Sequence, residues 1–600
     1  MRPKVLFSAF LTTVFVLASG CGSVKNCPVC GTTKNDAYAN IDVIPVPEHN
    51  PTGEPGGPFN SFDISWLDPV NHLDYVSDRI GLDVAVIDTQ KDIAAAIITG
   101  VNGVAGAGVF ASSCDPSIPP IVTAMGNWTR FGCRNGAFSI PGAGANGLFG
   151  GFPGAQCCAA RANGVNPLSG PDGELVTPDG KTLFTSNGTS SIVVFDLTTM
   201  NVSTTPPTPP AVWATIPTGL SPDFDGQLGN NNDPTHPNTT GISGCVSSAN
   251  GRAFFDPTCG DLRADETSYD AKDQILLVAN GDPGFPFITL IDVSGINART
   301  SRCLPIIPGS PYGPPLGNAL GPINAPSCII GQIYYDGAGA PGSPLNPGVP
   351  VDSIAGFPCP DASNPPVNSG VSGAPPYITG TNSIPCHHGP VITVSGQFCN
   401  QTAPAAGCAG AISPAGLGGS TFNPNTGHFL VANANATTDL TIGTVDEIDP
   451  RLGNPNGPIV VNTFVMPSCM PTSVVQGPGN NFLVGCADHD GEAFPPNMYV
   501  IDGTSGAIKA TINTVGGVDE IWYNPGDNRY YLAARDMPGG AVLGIIDAGT
   551  NLWLQNVATG SNSHSVSVDP SNNHVFVPLQ AGAGCRTQSA NGCIGVYAQQ

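Results

Sequence analysis

Short apolar runs, rich in β-branched and aromatic residues, recur along most of this chain, and each is closed by Gly, Pro, Asn or Asp. The clearest set lies in VDEIWYNPGDNRYYLAARDMPGGAVLGIIDAGTNLWLQNVA, Val518 to Ala558, where Glu520–Tyr523, Tyr530–Ala534, Val542–Ile546 and Leu552–Val557 are separated by such residues. Runs of this kind predict strands, and the punctuation predicts tight turns, because Gly, Asn and Asp tolerate positive φ and Pro presets φ. Four strands so joined make an antiparallel meander of about 45 residues.

The same unit recurs as Ser61–Gly100, Gly173–Thr199 (closing near Trp213–Gly219), Asp265–Ser294, Ser420–Phe464, Thr472–Ile512 and Ser563–Gln599. An apolar residue followed by Asp ends the third strand in six units, at Asp88, Asp196, Asp292, Asp449, Asp502 and Asp547. A carboxylate there is expected to accept backbone N–H groups two residues on and close the next turn, so its recurrence points to structure and not to chemistry. The last unit has only three strand signals, which would leave an open edge. Ile41–Val46, isolated near the start, is expected to supply the missing outer strand. Pro45 suits a strand with one edge toward solvent. The fold expected is all-β: a seven-bladed β-propeller closed by an N-terminal strand.

DYVSDR (Asp74–Arg79) followed by VAVIDT (Val84–Thr89) and a closing IITG (Ile97–Gly100) resembles the YVTN-type repeat of seven-bladed propellers. Later units follow one another every 45–55 residues or so, whereas earlier ones lie about twice as far apart or more. The surplus falls between one unit and the next, at about 101–172, 220–264 and 305–419. These insertions, expected on one face, are rich in Gly, Pro, Asn and Cys and build little core of their own, so disulfides are expected to hold them.

Charge and the amino terminus narrow the biology. A formal net charge of -24, with only 20 Lys and Arg, excludes nucleic acid and disfavours acidic surfaces. Arg2 and Lys4 precede an apolar stretch, Val5–Leu17, with the pattern of an export signal. Ala18-Ser19-Gly20-Cys21 is similar to the lipobox of bacterial lipoproteins, which implies lipidation of Cys21. The domains read as a signal peptide (1–20), a tether (21–38) and the propeller (39–600). Membrane contact is expected only through that lipid, in an outer-membrane or cell-surface lipoprotein; without lipidation the protein would be periplasmic or secreted. Of the 19 cysteines, Cys21 apart, an even number remains to pair in an oxidising compartment. Cys27 and Cys30 read as a local disulfide. Cys386-His387-His388, flanked by Cys399 and Cys408, reads as a disulfide loop in preference to a soft metal site. Gly142–Gly147 matches a dinucleotide fingerprint only formally, since no helix pattern follows it.

The innermost strand of a blade lines the central channel. Counting back from each first turn places Asp63, Asp172, Asp265, Gly418, Thr472, Asp519 and His564 at one mouth, with Glu266 and Glu520 directly after two of them and Glu174 nearby. Second strands end on that face at Asp78, Asn187, Asn280, Asn433, Asp488 and Asp536. Converging carboxylates repel unless protonated, solvated or neutralised by a cation. Asp63, Asp172, Asp265, Glu266, Asp519 and Glu520 are therefore candidate ligands for Ca²⁺ or another divalent cation. The ring resembles the carboxylate-and-amide metal site of gluconolactonase-type propellers, which implies a metal-dependent lactonase or esterase with His564 as general base. The leading expectation is different: a non-enzymatic binding or scaffold module for a protein, glycan or small-molecule ligand, with a water-filled acidic mouth.

Overall fold

The computed structural model describes residues 37–47, 59, 62–78, 83–98, 121–123, 126–128, 171–187, 191–218, 246–247, 252–253, 264–280, 287–303, 328–334, 386–388, 391–392, 398–399, 415–435, 442–452, 457–487, 497–560, 562–586 and 592–600. Seven antiparallel sheets carry the fold. Blade one is Phe62–Asp68, Leu73–Asp78, Asp83–Asp88 and Ile93–Ile98. Blade two is Pro171–Val176, Thr182–Asn187, Ser191–Asp196 and Ala211–Pro217, and blade three is Thr267–Asp270, Ile275–Asn280, Phe287–Asp292 and Ile329–Tyr334. Blade four is Ala415–Asn423, His428–Asn435, Ile442–Asp449 and Ile459–Pro467, blade five is Met470–Gln476, Asn481–Ala487, Met498–Asp502 and Ile508–Ile512, and blade six is Ile521–Asn524, Arg529–Ala534, Val542–Asp547 and Leu552–Ala558.

Blade seven joins the two ends of the chain. Ser567–Asp569, His574–Leu579 and Cys593–Gln599 are completed by Tyr38–Pro45, which runs antiparallel to Cys593–Gln599 with Val43 opposite Gly595 and Ile44 opposite Ile594. Gln600 N–H extends the pairing to the Ala37 carbonyl. Tyr38 also ties this strand to blade six. Its hydroxyl meets Tyr531 Oη at 2.6 Å and donates to Asp527 Oδ2 at 2.9 Å, while its backbone N–H donates to Gln555 Oε1 at 2.8 Å. Innermost strands touch in the order of blades one to seven and back to one, so the ring is closed.

Two local rules shape every blade. Apolar side chains of each sheet pack against the next, so the described residues form a core cluster at each of the seven blade-to-blade interfaces. Each pairing of third and outermost strands also carries a register shift, for example at Val86/Ile87, Val194/Phe195, Val500/Ile501 and Ile545/Ile546. A bulge increases local twist, which lets the outer strand splay from a sheet whose inner strands are crowded at the axis. In blades one to six it lies just before the recurring Asp.

Blade three departs from the simple unit. Its outer strand, Ile329–Tyr334, lies inside the stretch read above as the third insertion, because IIGQIY is short, broken by Gly331 and far from the preceding strand. A disulfide between Cys303 and Cys328 joins the two ends of the intervening segment. Cys386–His388 then adds a fifth, parallel strand, with Gln332 opposite Cys386. Disulfides also join Cys469 to Cys486 and Cys585 to Cys593. Residues 1–36, including Cys21, Cys27 and Cys30, and Gly142–Gly147 lie outside the described residues.

Candidate functional site: an acidic channel mouth

Strand direction fixes which face is the mouth. Each innermost strand begins there and each outermost strand ends there, so the chain leaves blades one, two and three on this face and returns on it at Pro171, Ala264 and Ala415. The starts of the innermost strands form one belt. Ser65 N–H donates to Ser565 Oγ at 2.8 Å, joining blades one and seven, and Glu520 N–H donates to the His564 carbonyl at 3.1 Å, joining six and seven. Thr472 Oγ1 donates to the Val518 carbonyl at 2.6 Å. Two glycines permit the closest approaches: a Cβ at Gly418 would sit 2.1 Å from the Thr472 carbonyl oxygen, and one at Gly173 would sit 2.3 Å from that of Asp265.

Within the belt the candidate acids fall into three groups. Asp63, 8% exposed, accepts from His564, whose Nε2 lies 3.2 Å from Asp63 Oδ1. The other ring nitrogen, Nδ1, lies 2.9 Å from the Asn562 carbonyl oxygen, and the ring stacks on Phe62. A carbonyl only accepts, and a carboxylate accepts, so this geometry suits an imidazole donating from both nitrogens.

The second group is Asp265, Glu266, Asp519 and Glu520, from blades three and six. Glu266 and Glu520 are hydrogen-bonded to each other, which requires a proton between two carboxyls. Burial raises the proton affinity of both, and the charges of Asp265 and Asp519 raise it further. Both residues are partly exposed. Burial is the leading cause of the upward direction in both. Asp519 Oδ2 pairs with Arg535 at 2.9 Å, and Arg535 Nε reaches Asp536 Oδ2 at 3.2 Å. Arg535 was not legible as a site residue, although an Arg directly after the apolar run Tyr530–Ala534, in a chain so poor in cations, was a usable signal.

Asp172 belongs to the third group, beside Glu174. Glu174 is fully buried between blades one and two and accepts from Ser77 Oγ at 2.9 Å and Thr185 Oγ1 at 2.6 Å. Burial pushes its carboxyl well above the ordinary range despite these donors, and Asp172 adds to the rise. Asp74, on the second strand of blade one, is likewise pushed up to about 7 by burial; Ser567 beside it offsets part of the rise without completing regular hydrogen-bond geometry.

This distribution bears on a divalent cation. Among the described residues no three His, Cys, Asp or Glu side chains converge closely enough to hold one ion. Asp63 and Asp519 already face His564 and Arg535, and Glu266 and Glu520 face each other. As arranged, the acids do not fit a hard-cation cage. What they offer is a negatively charged, partly protonated opening with hydrogen-bond acceptors on several sides.

No protein-family model matches the sequence, and no curated protein matches it. Among solved structures, the chain is similar to Kuenenia stuttgartiensis hydrazine synthase, with 12% identity over 91% of this chain and 96% of that chain and a TM-score of 0.42. A chain of the mitotic checkpoint complex shows 8% identity over 100% of this chain and 99% of its own, with a TM-score of 0.39. Likeness at this level carries no argument about activity.

Proposed function

We propose that this chain is an exported binding module of the YVTN-propeller kind, tethered to a membrane through Cys21, whose recognition surface is the acidic channel mouth. Its ligand carries cationic or multiple hydrogen-bond-donating groups, as a basic protein segment, an aminated glycan or a small polyamine does. The observation that supports this reading most is the imbalance at the mouth: among the described residues, Asp63, Asp265, Asp519 and the Glu266–Glu520 pair stand against one arginine and one histidine. Low-dielectric walls lined with one sign of charge concentrate counter-charged ligands. A closed ring holds those groups in place without rearrangement, which lowers the ordering cost of binding.

The test is titration of spermine and of oligolysine against a neutral oligosaccharide. Cationic probes should bind, weaken with added salt, and lose roughly tenfold or more in affinity in Asp265→Asn/Asp519→Asn. Equal binding of neutral and cationic probes would overturn the reading. A stoichiometric divalent ion that survives dialysis and leaves with Asp265→Ala/Asp519→Ala would favour metal-dependent lactone or ester hydrolysis instead.

A further inference from the structure

The rim of the ring is not uniform. On the outer strands of blades one, four, five and seven, large exposed apolar residues occur singly: Ile93, Val461, Ile508 and Ile41. Single residues of this sort are ordinary on any protein surface. Blade six is different, because its outer strand exposes three in succession, Leu552 (63%), Trp553 (41%) and Leu554 (42%). The Trp553 indole donates to Asn556 Oδ1 at 2.9 Å, so the ring is held along the strand.

Position gives this patch a meaning. Leu552 opens the outer strand, which starts on the face opposite the acidic mouth. The chain enters the propeller at the same corner: Tyr38 is bonded through N–H and carbonyl to the Gln555 side chain, three residues from Leu552 along that strand. The first described residues therefore stand beside the strand that carries Leu552, Trp553 and Leu554. Ile41, displaced outward by the register shift between Asn40 and Asp42, lies on the neighbouring outer strand. If residues before 37 are held at a bilayer, only a short length of chain separates this corner from lipid.

We propose that the Leu552-Trp553-Leu554 edge of blade six rests in a lipid surface, so that the propeller stands on this rim with its acidic mouth turned away from the bilayer. This rests on the reading that the chain is membrane-tethered through its amino terminus. Trp with flanking Leu suits the boundary between acyl chains and headgroups, where an amphipathic ring has one side apolar and one side wet. The net charge of -24 sets the choice of lipid, since an anionic surface would repel the body of the protein and a zwitterionic one would not.

The test uses the full chain reconstituted in phosphatidylcholine vesicles, plain or brominated on the acyl chains. Bromine quenches tryptophan emission at short range. The expected result is that the protein floats with the vesicles, that brominated lipid lowers its emission, and that Trp553→Phe removes most of this quenching while Trp66→Phe, inside the ring, leaves it. Flotation without Trp553-dependent quenching overturns the proposal and leaves the tether standing. Failure to float overturns both. A lipid-free dimer in sedimentation equilibrium that Leu552→Glu dissociates would assign the edge to a second copy of the chain and overturn the proposal as well.

Discussion

Two sets of carboxyl groups run through this ring and behave in opposite ways. One sits at the outer turns, where Asp88, Asp196, Asp292, Asp449 and Asp502 each accept the backbone N–H two residues on, at 2.8–3.2 Å, and Asp547 accepts that of Thr550 at 2.8 Å. Side-chain hydrogen bonds from Arg299, Lys509 and Thr550 lead in holding Asp196, Asp502 and Asp547 below the usual carboxylate range, and the turns' backbone N–H groups add to each. The other set, Asp74, Glu174, Glu266 and Glu520, faces the inner strands, and burial drives it the other way. The difference lies in the supply of donors. A turn carries N–H groups of its own aimed at the side chain, whereas the amides of an inner strand are already committed to the sheet. The acids of the outer turns thus serve folding, and Glu266 and Glu520 of the inner strands remain to characterise the mouth.

The sharpest way to break this contrast is at Glu174. If its carboxyl is neutral, Glu174→Gln keeps an acceptor for Ser77 and Thr185 and should change stability by less than about 1 kcal/mol. Glu174→Ala strands two buried hydroxyls and leaves a cavity, and should lose roughly 2–4 kcal/mol. Urea unfolding distinguishes them; equal losses would mean that the carboxylate charge matters, and the inner set would no longer differ from the outer.

A second, smaller effect is in pH. Asp74 and Glu174 have folded-state proton affinities above those of the unfolded chain, where Asp and Glu titrate near about 4. The folded state then holds more protons, so their contribution is full below that pH and declines as pH rises, for Asp74 through about 7. His574, raised chiefly by its hydrogen bond to Asp92, acts in the same direction: its contribution is present below 6.5 and is lost as pH rises through the folded value. The Glu266–Glu520 pair, partly exposed, adds less. Melting temperature should fall by a few degrees between pH 5 and 8, a change on the order of 2 kcal/mol, and Asp74→Asn should flatten the slope. A melting temperature that rises over this range would contradict the assignment.

Legibility in the sequence followed the same divide. The outer Asp positions were readable because each turn is local, and closure by the first strand was readable because Ser563–Gln599 lacked a fourth run. A parallel repeat went unused: Asp68, Asp270, Asn423, Asn524 and Asp569 stand at the end of the innermost strand, each accepting the N–H two residues on. Blade three's outer strand was missed, since a six-residue run containing Gly331 carries too little local signal when its partner Phe287–Asp292 is far away in sequence. At the mouth, residue types and their convergence were legible, but partners were not. Whether Asp63 meets a cation, a proton or His564 depends on which side chain the neighbouring blade seven delivers beside it, and strand periodicity does not encode that.

At the outer turns themselves the effects should shrink again. Asp547→Ala removes the acceptor for the Thr550 amide and hydroxyl, both at 2.8 Å, and should lower stability by about 1 kcal/mol in thermal or urea unfolding. In the wild type the same contribution is present above the unfolded carboxylate range and is lost as pH falls through the lower folded value, the reverse of the inner acids.

The smallest expected change separates the turn from its ion pair. Lys509 reaches Asp502 Oδ2 at 2.8 Å and Asn481 Oδ1 at 3.0 Å, on a partly exposed edge. An exposed pair of this sort contributes about 0–1 kcal/mol and is screened by salt. Lys509→Gln should therefore leave unfolding nearly unchanged while moving the Asp502 titration upward, read by NMR of its carboxyl carbon. The backbone donors from Thr504 and Ser505, both at 3.1 Å, remain in that variant, so Asp502 should still titrate below an ordinary aspartate. Return to the ordinary value would show that the lysine, not the turn, sets the low affinity. The contrast between outer-turn and inner-strand acids would then rest on neighbouring cations instead of on strand and turn geometry.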